Sequence, residues 1–152
     1  MSRTTPLDTL IDLTRDARDQ AGQRLAGERG KEQQVAAQLD SLVAYRREYA
    51  DSLADSMSRG IDPATLHNTQ RFLASLDAAL DRARQALDGQ RQRVSQSQQQ
   101  WQGEQQRLNA YDTLSSRRAA EGAVKAARQE QRTIDDMVNS RLQRASALPE
   151  GL

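Results

Sequence analysis

The sequence predicts an all-α fold: a long antiparallel two-helix coiled-coil hairpin with an overhanging C-terminal helical arm, built as a single domain over residues 1–152. Three observations predict it. Apolar residues recur every seven positions over most of the chain, one compact run of turn residues cuts that pattern in two, and the composition leaves little for a thicker core. Only 36% of residues are hydrophobic and 3% aromatic, against 28% charged. A chain this polar either stays unfolded or buries a narrow stripe between long helices, and the seven-residue period favours the stripe.

Helix one is expected over about 6–58. Thr5 can serve as its N-cap, Pro6 suits a first helical position whose N–H has no intrahelical partner, and Asp8 places an anion at the positive end of the helix dipole. A heptad then carries Ile11, Arg18, Leu25, Glu32, Leu39, Arg46 and Leu53 at a, with Leu7, Thr14, Ala21, Glu28, Val35, Leu42 and Tyr49 at d. Gly22, Gly27 and Gly30 interrupt it, each costing about 1 kcal/mol against alanine. The middle of this helix is therefore expected to be its weakest part.

A turn is expected over 59–63. Gly60 can adopt the left-handed conformation that closes a helix, Ile61 can make the apolar contact that accompanies such a cap, Asp62 is a good N-cap and Pro63 a good first helical residue.

Helix two, over about 64–146, has the sharper repeat, with Leu66, Leu73, Leu80, Leu87, Val94, Trp101 and Leu108 at a. Its d positions are Thr69, Leu76, Ala83, Gln90, Ser97, Glu104 and Tyr111. The pattern slips near Leu114 and resumes less cleanly at Val124, Ala127, Ile134, Val138 and Leu142. From Arg117 onward this arm has no intramolecular partner, so it is expected to fray or to pair with another molecule. A disordered tail is expected over 147–152.

The turn fixes a facing register, since residues equidistant from its centre should meet. It sets Tyr49 against Leu73, Arg46 against Leu76, Leu42 against Leu80 and Val35 against Leu87. Farther along it sets Glu32 against Gln90, Glu28 against Val94, Trp101 against Ala21, Arg18 against Glu104, and Tyr111 against Ile11.

Chemistry is scarce. There is no cysteine, and His67 is the single histidine, so neither a thiolate site, a paired-histidine metal site nor a Ser/His/Asp triad can be assembled within one chain. The glycines do not form a phosphate-cradling loop. Asp135 and Asp136 are neighbours that do not share a helix face. A non-enzymatic protein without cofactors or bound metal is expected. The formal net charge of +1 comes from interspersed signs, which gives no field for a nucleic acid. No apolar run reaches the ~20 residues of a membrane span, so direct membrane insertion is not expected and the chain reads as soluble and cytoplasmic.

One surface exceeds what the seam requires. Leu42, Tyr49 and Leu76 are seam residues, but Tyr45, Phe72 and Ala79 lie at g beside it. Two of the few aromatic residues at partly exposed positions near the turn suggest a docking surface, because aromatic side chains supply much of the energy at interfaces.

Several runs also resemble one family: the Leu-x-x-Leu-Ile-Asp-Leu start, Gln38-Leu39-Asp40-Ser41-Leu42-Val43-Ala44-Tyr45-Arg46-Arg47-Glu48-Tyr49, Phe72-Leu73-Ala74-Ser75-Leu76-Asp77-Ala78-Ala79-Leu80, Trp101, and Glu130-Gln131 followed by Asp135. In order and spacing, over nearly the whole chain, they resemble the flagellar export protein FliJ family. The resemblance implies an antiparallel coiled coil similar to the central stalk of rotary ATPases. It implies that one end inserts into the flagellar export ATPase hexamer and promotes its assembly. It further implies a link to the export gate protein FlhA, a part in escorting export chaperones, and a peripheral place at the inner-membrane export apparatus. The gate-docking cluster of the family matches Gln38, Leu42, Tyr45, Tyr49, Phe72, Leu76 and Ala79; Ala83 stands where that cluster can carry a histidine. The equivalent stalk of a virulence type III injectisome, or a generic structural coiled coil, would share the architecture, and the residues alone leave both open.

Overall fold

The computed structural model describes residues 5–147. Two helices make up almost all of them, α1 (Pro6–Arg59) and α2 (Pro63–Ala147), and no strand occurs among the described residues. The fold is an all-α helical hairpin, its two long helices packed against one another.

The start of α1 is capped reciprocally. Thr5 accepts at Oγ1 from the Asp8 N–H (3.2 Å), and the Thr5 N–H donates to Asp8 Oδ2 (3.1 Å). This is a capping box with aspartate as the returning acid, and it satisfies two donors that the helix itself cannot. The Asp8 carboxyl is held below its ordinary value, chiefly by that backbone N–H and then by the Thr5 side chain.

The other end of α1 closes at Gly60, whose φ of 93° lies in the left-handed region and whose N–H donates to the Met57 carbonyl at 3.4 Å. Ile61 is half-buried beside it. Asp62 then caps α2, accepting at Oδ2 from the Thr65 N–H (3.4 Å) and at its backbone carbonyl from the Leu66 N–H (2.9 Å).

The buried stripes follow the seven-residue period. Leu7, Ile11, Thr14, Ala21 and Leu25 are buried on α1, and Leu76, Leu80, Leu87, Gln90 and Leu108 on α2. The remaining a and d residues are half-buried, except Tyr49, which is exposed at 36%.

Among the described residues two compact units emerge, Thr14–Gln106 and a second composed of 5–13 with 107–147. Inside the first, the Trp101 ring lies against Gly22, its Cδ1 and Nε1 3.4 Å from where a Cβ on that glycine would stand, and Ala21, expected opposite Trp101, is buried next to it in the chain. Gln90 bonds Glu28 instead of Glu32, and Glu32 pairs with Arg91 at 3.5 Å. Interlocking side chains seat each residue between two of the facing helix, so a long amide can choose either neighbour. Arg18, expected against Glu104, donates from Nη2 and Nε to its neighbour Asp19 at 2.9 and 3.1 Å.

In the second unit Leu7, Ile11 and Leu108 form a buried cluster with half-buried Tyr111 against it. Every described residue from Ser116 to Ala147 is exposed, including Val124, Ile134, Met137, Val138 and Leu142. Ala147 closes α2, while the rest of the tail expected over 147–152 lies outside the described residues. No helix among the described residues is long and apolar enough to cross a membrane.

Candidate docking surface

Positions 38, 42, 45 and 49 advance by four, three and four residues, which keeps Gln38, Leu42, Tyr45 and Tyr49 on one face of α1. Phe72, Leu76 and Ala79 advance by four and three along α2. Both series lie within the Thr14–Gln106 unit. The antiparallel pairing brings Phe72 to the two tyrosines.

The three rings form one cluster. Tyr49 and Phe72 have centroids 4.6 Å apart with planes at 45°, Tyr45 and Tyr49 lie at 4.9 Å and 59°, and Tyr45 meets Phe72 edge-on at 6.3 Å and 78°. Tilted and edge-on arrangements suit ring quadrupoles better than a flat sandwich. Tyr45 donates its hydroxyl to the Tyr49 oxygen at 3.5 Å. Its phenol is held above its ordinary value, first by that hydrogen bond, then by the neighbouring Tyr49 and Glu48 charges and slight desolvation.

The cluster remains open to solvent, with Tyr45 at 43%, Phe72 at 38% and Tyr49 at 36% exposure. Leu76, by contrast, is buried in the seam, and Ala79 and Leu42 are half-buried. Gln38 and Leu42 line a shallow groove with Ala37 and Ser41. The structure thus joins Tyr45, Tyr49 and Phe72 by direct contact, continues the α1 face through Leu42 and Gln38, and buries Leu76 in the seam.

Reasoning from the sequence missed the neighbour that steadies this region. Arg46 donates from Nε and Nη2 to both carboxylate oxygens of Asp77, the second bond at 3.3 Å. This two-pronged geometry is the strong form of an ion pair. It holds Asp77 below its ordinary value and Arg46 above its own, in both cases chiefly through the hydrogen bonds. The signal was available, since Arg46 sits at a seam position expected against Leu76 and Asp77 follows Leu76 directly.

No metal-holding group of three or more acidic, histidine or cysteine side chains occurs among the described residues. The exposed rings of this surface offer apolar contact area to a partner.

The family model for the flagellar FliJ protein matches residues 2–147. The chain belongs to the FliJ family. Among curated relatives, the flagellar FliJ proteins of Salmonella typhi and Escherichia coli (strain K12) are each 32% identical over 136 residues, which span 90% of this chain and 92% of theirs. A solved structure from Chlamydia trachomatis described as a YscO homologue is similar in fold, with a TM-score of 0.53, 14% identity, and coverage of 96% of this chain and 98% of the other. Membership in the FliJ family makes the chain a stalk-like coiled-coil protein of flagellar type III export.

Proposed function

We propose that this chain is a central-stalk-like coiled coil that engages the ring of the flagellar export ATPase, promotes its assembly and activity, and links it to the export gate protein FlhA. In this reading the aromatic cluster of Tyr45, Tyr49 and Phe72, flanked by Gln38, Leu42, Leu76 and Ala79, meets the gate. The protein also escorts export chaperones and associates peripherally with the inner-membrane apparatus from the cytoplasmic side. A single observation carries the reading: three aromatic rings in mutual contact stay exposed in a chain whose aromatic content is 3%.

Exposed rings of this kind have an energetic role mainly when a partner covers them, because desolvated aromatic anchors dominate interface energies. The α2 arm, exposed from Ser116 to Ala147, is the surface offered to the ATPase ring. The test is a pull-down against the flagellar export ATPase coupled to a hydrolysis assay. Retention on the column with faster hydrolysis is expected; absence of both contradicts the stalk reading.

A further inference from the structure

Within the helices of the Thr14–Gln106 unit Gly27, Gly30 and Gly89, like Gly103 farther along α2, have no steric reason to be glycine. A Cβ built on Gly27, Gly30 or Gly89 meets no atom within 4 Å, and among the described residues positive φ is confined to Gly60. Each weakens its helix relative to alanine, and no close approach of another chain segment is gained in return.

These glycines bracket a layer where the seam changes character. Gln90, 5% exposed, sits where an apolar d residue is usual and donates its amide to the Glu28 carbonyl oxygen at 3.0 Å and to Glu28 Oε2 at 2.5 Å. Around it lie two ion pairs in which an exposed cation meets a half-buried glutamate, Lys31 with Glu28 at 3.9 Å and Arg91 with Glu32 at 3.5 Å. On the turn side the seam closes over Leu76, Leu80 and Leu87, and on the other side over Leu25 and Ala21.

Opening an apolar layer exposes carbon to water. Opening this polar layer exchanges protein hydrogen bonds for bonds to water, and the surrounding ion pairs are screened by solvent. Both features lower the free energy of local opening at one place, on both helices at once.

We propose that residues 27–32 of α1 with 89–94 of α2 form a compliant joint, at which the paired helices open and flex while the apolar zones on either side stay closed. The joint is a mechanical property of the hairpin and does not depend on which partner the aromatic cluster meets.

Amide hydrogen exchange of the full chain tests it. Amides of 27–33 and 88–95 are expected to exchange at least about tenfold faster than those of 36–43 and 76–84, since stability within a structure varies segment by segment. The triple variant Gly27→Ala, Gly30→Ala, Gly89→Ala should slow exchange in the joint on the order of 100-fold, from the summed helix preferences of alanine over glycine. The variant Gln90→Leu should slow it as well. Uniform protection along both helices, or joint rates unchanged in the alanine variant, would overturn the proposal. So would faster joint exchange in Gln90→Leu, because the polar layer would then be a clasp. All these substitutions favour the helical hairpin, so loss of folding does not confuse the result.

Discussion

The Tyr49 ring of α1 and the Phe72 ring of α2 lie 4.6 Å apart at 45°, yet each keeps more than a third of its surface in solvent. This contact is both a link between the helices and the centre of an open patch. Phe72→Ala removes two ring contacts and is expected to cost about 1–2 kcal/mol, the usual worth of a pair of aromatic contacts with modest area loss. Thermal melting followed by circular dichroism should show that shift with helical content retained. A collapse of the helical signal would make Phe72 a core residue.

Acid should act on two named carboxylates. Asp8 and Asp77 are both lowered in the folded state, by the Thr5 N–H and by Arg46 respectively. A lowered folded value means that the stabilisation is fully present above the unfolded carboxylate value and is lost as pH falls through the folded one. Stability should therefore be flat from neutral pH down to the ordinary carboxylate range and fall below it. Carbon-detected NMR titration of the two carboxyls checks the direction. Asp77→Asn should flatten part of the decline and, because the pair is open to solvent, lower stability only slightly at neutral pH.

Gly22 and Trp101 give a steric test. A methyl group at Gly22 would stand 3.4 Å from the indole, an ordinary contact, and alanine is the better helix former. Gly22→Ala should be neutral or stabilising by up to about 1 kcal/mol. Gly22→Leu must displace the ring and should destabilise by about 1–3 kcal/mol. Trp101 is the single tryptophan, so its fluorescence reports the displacement directly.

The α2 arm gives a further test. Its apolar residues lie exposed from Val124 to Leu142, and a helix without tertiary support is marginal in water. Amides from Glu121 to Arg144 should exchange rapidly in dilute protein. Strong protection there in a monomer would contradict an unpartnered arm.

Most of this fold was legible in the sequence because a coiled coil writes its packing as a repeat. The a and d residues of α2 from Leu66 to Tyr111 are all buried or half-buried, and Gly60, Asp62 and Pro63 announced the turn by their own backbone chemistry. Individual pairings were less legible. Gln90, set by the register against Glu32, bonds Glu28, and Arg18 turns to Asp19 on its own helix; long polar side chains have several partners of similar energy, and a heptad does not choose among them. The division into two compact units left no mark on the repeat. In the candidate surface, Tyr45 and Phe72 stood out by their off-seam positions, whereas the contact that assembles all three rings depended on the fine register between helices.

The central claim is that the rings of Tyr45, Tyr49 and Phe72 meet the export gate. Its most direct measurement is a calorimetric titration of the cytoplasmic domain of FlhA with the wild-type chain and with the double variant Tyr45→Ala, Phe72→Ala. Saturable binding by the wild type is expected, with a loss of at least about 2 kcal/mol, roughly thirtyfold in Kd, for the variant and its stimulation of the ATPase retained. Equal affinity of the two chains would contradict it.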